Sequence, residues 1–141
     1  MNLIFAKLFE RYVKWNYPAR FSITMYISVF YFFLAFLILL PTKTYIDHQI
    51  FNNEIHYEKS TILIMVFGLL TAIIFFVYIG YIKNNYIQKL SEKYKKRSVN
   101  KALLFFIVTF APVILMVLAG IITVLLNGGS ILGNEINGYF E

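Results

Sequence analysis

The sequence predicts an all-α membrane protein, with three transmembrane helices preceded by an N-terminal amphipathic interfacial helix. Two properties of the whole chain support this prediction, because 60% of its 141 residues are hydrophobic and only 14% are charged. A soluble domain carries roughly 25% charged residues, so this chain has too much apolar surface to bury away from water. The third observation is three long apolar runs that contain no Asp, Glu, Lys, Arg or His.

The apolar runs cover residues 21–40, 61–82 and 102–126, and they contain 20, 22 and 25 residues. Each reaches the length of about 20 residues that a helix needs to cross the hydrocarbon core of a bilayer. All three are apolar on every face, whereas a barrel strand alternates apolar and polar residues. We therefore predict three spans. No small-residue cleavage site follows the first run, so we expect it to remain attached rather than act as a signal peptide.

The basic residues are distributed unevenly and predict an orientation. Eleven of the 13 lysines and arginines lie before the first span or between the second and third spans. The positive-inside rule places the N-terminal segment before the first span, which includes the helix at residues 1–17, and the connection at residues 83–101 in the cytoplasm. Residues 41–60 then form an extracytoplasmic loop, and residues 127–141 form an extracytoplasmic tail. We expect an integral protein of the bacterial cytoplasmic (inner) membrane, with its N-terminus inside and its C-terminus outside.

Residues 1–17 form an amphipathic pattern at helical spacing. One face carries apolar and aromatic side chains, including Phe5, Leu8, Phe9, Tyr12 and Trp15. Such a helix is typical of the membrane interface, with its aromatic side chains at the depth of the lipid headgroups. The alternative is that this face packs on the cytoplasmic ends of the spans. The sequence allows both.

The connection at residues 83–101 is strongly basic and includes Lys93, Lys95, Lys96 and Arg97. Apolar residues recur there at helical spacing, so we predict a basic cytoplasmic loop containing a short amphipathic helix. A basic cluster beside a span sets topology and attracts anionic lipid, at about 1 kcal/mol per residue near the surface. We expect membrane lipids as partners, and no nucleic acid.

Small and polar residues within the spans predict helix contacts. Gly68 with Ala72, and Thr24 with Ser28, are pairs four residues apart that let another helix approach closely. Pro112 predicts a kink in the third span.

Asp, Glu, Lys, Arg and His are absent from the spans, which disfavours proton relays, ion-coupled transport and voltage sensing. Four glycines between residues 127 and 138 predict a flexible exit.

The loop at residues 41–60 contains a cluster of polar side chains that raises the possibility of a site, namely His48, Glu54, His56 and Glu58. A zinc site needs three or four such ligands on an ordered scaffold, which a loop this short does not supply. We consider three alternatives: a metal or catalytic site, a loop that contacts a partner, and a plain connector. The sequence disfavours the first, so we predict no catalytic residue, cofactor or metal here, and it leaves an outer contact through these four residues and a plain connector equally open.

The outline of an interfacial helix and three spans resembles the prokaryotic diacylglycerol kinases, which require carboxylates at the cytoplasmic boundary. Glu10 and Glu92 are the only acids predicted on that side, and no motif of that family surrounds them. We therefore predict a non-enzymatic accessory or interaction subunit of a membrane complex. It would contact other membrane subunits or copies of itself through its helices and outer loop. The alternatives are a membrane-embedded toxin-immunity protein and a small oligomeric pore.

Overall fold

In the computed structural model, residues 1–50 and 58–139 are described. They form five α-helices, a π-helical segment and one β-hairpin: α1 (Asn2–Lys14), α2 (Ala19–Gln49), α3 (Lys59–Val77) with its π-helical continuation (Tyr78–Lys83), α4 (Tyr86–Tyr94), α5 (Lys101–Asn127), β1 (Gly129–Ile131) and β2 (Asn134–Ile136). Three of these helices, namely α2, α3 with its continuation, and α5, are long and apolar enough to cross a membrane. The predicted all-α membrane class is confirmed.

The other two long helices, α3 and α5, pack against α2, which also contacts α1. The short helices α1 and α4 pack on each other, and α1 also contacts α5. We call this end of the bundle, with α1, α4 and the start of α5, the basic end. The opposite end carries the end of α2 and the β-hairpin that follows α5, and we call it the hairpin end.

The hydrophobic core lies at the basic end. Its buried residues come from α1, the first turns of α2, the end of α3 with its continuation, and α4: Phe5, Ala6, Leu8, Phe9, Ile23, Ile27, Phe30, Val77, Ile82, Ile87 and Leu90. Such a cluster excludes water and lipid alike and holds the two short helices against the spans.

This core corrects the prediction that Phe5, Leu8 and Phe9 contact lipid. All three are buried within the chain. The physical reason is that α4 supplies its own apolar face, which includes the buried Ile87 and Leu90, and α1 packs directly on α4.

The first spanning helix is longer than predicted. We expected it to end before Pro41, but α2 continues through Pro41 to Gln49. A proline removes one backbone donor, and neighbouring hydroxyls can bond to helix carbonyls, as Thr42 does to the carbonyl of Ile38 at 2.7 Å. Residues 41–49 are therefore helical rather than loop. Helix α5 likewise continues through Pro112 to Asn127.

Two asparagines in the left-handed region separate the helices at the basic end. Asn16 has φ 55° between α1 and α2, and Asn85 has φ 52° directly before α4. Asparagine tolerates this conformation better than most residues do.

The tail after α5 is more ordered than predicted. Strands β1 and β2 pair antiparallel, and Leu132 and Gly133 form the turn between them.

Candidate functional site

Phe5 fixes the position of α1 against the spans. Its ring makes edge contacts with Tyr26, Phe30, Tyr31 and Tyr81, at centroid distances of 6.0 to 6.5 Å. The hydroxyls of Tyr31 and Tyr81 are 3.1 Å apart and form a hydrogen bond between α2 and the π-helical continuation of α3. Aromatic pairs of this geometry contribute about 0.5–1.5 kcal/mol each beyond their buried area. The short helix is therefore a packed part of the fold.

A cleft of about 500 Å³ opens beside α1 at the basic end. We call it the basic cleft, and its lining comes from α1, the connection between α4 and α5, and the first turn of α5: Lys7, Glu10, Arg11, Lys14, Trp15, Lys95, Lys96, Arg97, Ser98, Val99, Lys101 and Leu104. Seven of these twelve side chains are cationic and one is a carboxylate. This is the largest concentration of charge that we find in the described part of the chain.

The cleft brings together only some of the residues predicted to face lipid. Trp15, Lys95, Lys96 and Arg97 line it, whereas Lys93 lies outside its lining. The sequence did not predict that cations of α1 would join them. Their spacing was the available signal, since Lys7, Arg11 and Lys14 recur at intervals of four and three residues and so share one helix face.

Glu10 is engaged within the protein. Lys7 Nζ donates to Glu10 Oε2 at 2.8 Å, and the hydroxyl of Ser91 donates to Glu10 Oε1 at 3.2 Å. The side chain of Lys7 is only 12% exposed, so this ion pair is partly shielded from solvent. The carboxylate thus links α1 to α4 and neutralises one cation at the edge of the basic cleft.

Two further hydrogen bonds connect α1 to the chain that follows α4. Lys7 Nζ donates to the carbonyl of Lys95, and Arg11 Nη2 donates to the carbonyl of Lys101, each at 3.4 Å. At the start of α5, the Asn100 side chain accepts a hydrogen bond from the backbone N–H of Ala102 at 2.9 Å. These contacts hold the two walls of the cleft together.

The remaining predicted interface residues differ in exposure. Trp15 is 56% exposed at the end of α1. Tyr12 is half-buried, and burial raises the pKa of its hydroxyl above the usual range. Lys93 Nζ and the Arg97 guanidinium both lie 5.8 Å from the centre of the Tyr94 ring, within the range of a cation–π contact.

The two predicted helix-packing pairs have opposite environments. Thr24 and Ser28 are buried, and the Thr24 hydroxyl donates to the carbonyl of Arg20 at 2.7 Å. Gly68 and Ala72 lie on the exposed face of α3, where a methyl group added at Gly68 would meet no atom within 4 Å. Among residues 1–50 and 58–139, therefore, no other helix packs at Gly68, and Ala72 remains exposed.

The candidate outer contact is only partly within the described residues, since Glu54 and His56 lie outside them. His48 is half-buried near the end of α2, and Glu58 is exposed directly before α3, where the Ser60 hydroxyl donates to it at 3.4 Å. In residues 1–50 and 58–139, no three His, Asp or Glu side chains come together as a metal site. Asp47 is buried and paired with Lys43 one helical turn earlier.

Together the fold and the cleft define a class of protein: an all-α integral membrane protein with three long apolar helices and a packed, strongly basic end. Comparisons with known protein families, with curated proteins and with solved structures each find no match.

Proposed function

We propose that this chain is a non-enzymatic accessory subunit of a membrane complex and contacts other membrane-spanning helices through the exposed face of α3. The observation that carries the proposal is the burial of this helix, which is the lowest of the three. Only 6% of its most apolar 18-residue stretch is buried within the chain, compared with 11% for α5 and 28% for α2. Such a surface must meet either lipid or another chain.

The shape of the α3 face favours another chain. At 100° per residue, Gly68 lies at the centre of the exposed face, one turn before Ala72 and one turn after Ile64. Large side chains surround these small residues, including Ile64 and Phe76, each 72% exposed. Small residues between larger ones let two helix backbones approach closely, which is how helices associate in lipid.

The alternative of an oligomeric pore receives less support. That reading depends on hydroxyl side chains near the start of the first span, which would have to face a channel between subunits. Thr24 and Ser28 are buried inside the chain instead. The toxin-immunity alternative also requires a partner helix, so it predicts the same α3 contact with a different partner.

We also propose that the basic end faces the cytoplasm of a bacterium and that the hairpin end faces outward. The support is the distribution of lysine and arginine, which the positive-inside rule relates to orientation. The chain contains no cysteine, so a single introduced thiol reports on its own position. Ser98→Cys should resist a membrane-impermeant maleimide in intact cells, and Asn134→Cys should react. The reverse pattern would contradict the orientation.

The absence of cysteine also allows the α3 contact to be tested with single introduced cysteines. Ala72→Cys lies on the proposed contact, and Phe67→Cys is a matched control, because position 67 is also exposed but lies about 100° around the helix from Gly68. In native membranes, oxidative or bifunctional cross-linking should trap a specific partner at position 72 in higher yield than at position 67. Mass spectrometry of the product identifies either a second copy or a different chain.

A substitution completes the test. Gly68→Leu fills the space between the larger side chains of the α3 face without changing charge. The control is Phe67→Leu, which changes an exposed side chain about 100° around the helix from Gly68. Native mass spectrometry of the protein in a mild detergent should show loss of the complex for Gly68→Leu alone. An assembly that survives this change, or equal cross-linking at positions 67 and 72, would contradict the proposed function.

A further inference from the structure

The basic cleft combines cations from three separate elements around one space. Lys7, Arg11 and Lys14 come from α1, Lys95 to Arg97 from the connection after α4, and Lys101 from the first turn of α5. A cleft lined by charges of one sign focuses the electrostatic potential and concentrates ions of the opposite sign. Glu10 is the one carboxylate of the lining, and it is already bonded to Lys7 and Ser91. The other six cations therefore face no carboxylate within the lining.

We propose that the basic cleft is a binding site for phosphoryl groups, supplied by the headgroup of an anionic phospholipid. This proposal goes beyond the accessory function and does not rest on it, because it concerns a different surface and a different ligand. It also does not depend on which side of the membrane the basic end faces.

The composition of the cleft suits a phosphoryl group. Lysine ammonium and arginine guanidinium groups together supply many donors, and guanidinium groups bond phosphate oxygens in pairs. The first turn of α5 adds the partial positive charge of a helix N-terminus to the same space. A volume of about 500 Å³ lies within the ordinary range of ligand sites, roughly 300–1,000 Å³, and exceeds what a single inorganic ion needs.

The position of the cleft favours a lipid as the source of that group. Lys101 lines the cleft and begins α5, which is long and apolar enough to cross the membrane. The cleft therefore lies where a span meets the headgroup region. Trp15 stands exposed at its edge, and indole rings prefer that depth, while Leu104 gives the lining a buried apolar residue. Clusters of lysine and arginine directly beside a spanning helix bind anionic lipid headgroups.

The test uses the full-length protein in neutral detergent micelles, where no charged bilayer surface competes. Trp15 lines the cleft and is the single tryptophan of the chain, so its fluorescence reports on occupancy. Phosphatidylglycerol, cardiolipin and zwitterionic phosphatidylcholine are added separately. We expect a saturable change with the two anionic lipids, at about one lipid site per chain by native mass spectrometry, and none with phosphatidylcholine.

Two double variants that remove the same charge distinguish binding in the cleft from attraction of the lipid to the overall positive charge. Lys95→Gln with Lys96→Gln removes two exposed cations of the lining, and Lys89→Gln with Lys93→Gln removes two exposed cations of the adjacent α4 that do not line the cleft. The first pair should weaken binding about 25-fold, since each of the two cations near an anionic group contributes about fivefold. The second should change it less than about threefold. Circular dichroism checks that both variants fold.

Several results would overturn the proposal. Equal weakening by the two double variants would mean that the lipid responds to overall charge rather than to the cleft. Saturation by inorganic pyrophosphate at lower concentration than by either lipid would make a soluble phosphate compound the ligand. Displacement of the lipid by a short single-stranded oligonucleotide at lower concentration would make nucleic acid the ligand. A saturable change with phosphatidylcholine would show that the headgroup charge is not recognised.

Discussion

The ring of Phe5 lies 6.0 Å from the ring of Tyr81 at an interplanar angle of 82°, so that the first helix touches the last turn of the second span. These two residues are 76 positions apart in the sequence. They meet in a core that α1, α2, α4 and the end of α3 with its continuation form together. The consequence is that the basic end folds as one packed unit around a helix that the sequence placed at the lipid surface.

Replacement of Phe5 by alanine should therefore destabilise the whole basic end. Phe5 is 0% exposed, and removing a fully buried phenyl ring costs about 3–5 kcal/mol because a cavity remains. The matched control is Phe76→Ala, since Phe76 is 72% exposed on α3. Thermal unfolding in detergent, followed by circular dichroism, measures both. Equal midpoints for the two variants would mean that α1 does not pack as described.

The hydrogen bond between the Tyr31 and Tyr81 hydroxyls predicts a coupled pair. Tyr81→Phe should lower the free energy of unfolding by about 1 kcal/mol, because the Tyr31 hydroxyl loses its partner. Adding Tyr31→Phe removes that orphaned group, so the double variant should lose less than the sum of the single losses. Tyr78→Phe, at a half-exposed position, is the control. Additive losses would show that the two hydroxyls do not interact.

Gly138 predicts a sharp effect in the tail. A methyl group at this position would lie 2.4 Å from the backbone nitrogen of Gly128 and 2.8 Å from the carbonyl oxygen of Leu126, and backbone atoms cannot yield as side chains do. Gly138→Ala should detach the tail from the end of α5. The Tyr139 amide, which donates to the carbonyl of Leu125 at 3.0 Å, should then exchange its hydrogen about tenfold faster.

The control for that experiment is Gly120→Ala, where an added methyl group meets no atom within 4 Å. It replaces glycine inside α5 and should leave Tyr139 exchange unchanged. Hydrogen exchange followed by mass spectrometry of the C-terminal peptide measures both variants. Unchanged protection of Tyr139 in Gly138→Ala would contradict the close approach of the tail to α5.

Removal of the negative charge of Glu10 should strengthen lipid binding, whereas removal of cations from the basic cleft should weaken it. Glu10→Gln removes the carboxylate of the basic cleft and frees Lys7, while the amide oxygen can still accept from Ser91. Binding of an anionic phospholipid should tighten about fivefold, the effect of one additional net charge. Glu92→Gln changes the same charge on α4 outside the cleft lining and should have little effect. Titration of Trp15 fluorescence compares them.

The sequence by itself determined the class of this protein, since three uncharged apolar runs leave few alternatives to helices in lipid. It also placed those helices to within a few residues at most boundaries. The physical reason is that span length and charge exclusion are local properties, set by the thickness of the bilayer and by the cost of burying a charge. The end of α2 was the exception, because a proline near the membrane surface does not by itself stop a helix.

Only the tertiary structure decided which apolar side chains are buried within the chain and which stay exposed. Phe5 and Trp15 belong to the same amphipathic pattern, yet the first is fully buried and the second is 56% exposed. That difference depends on α4, which folds back over α1 from more than 70 residues away in the sequence. The same contact brings cations of α1 beside those of residues 95–101 and creates the basic cleft. Helical spacing of apolar residues predicts that one face of a helix is apolar, but the packing of the other helices determines which residues of that face are buried.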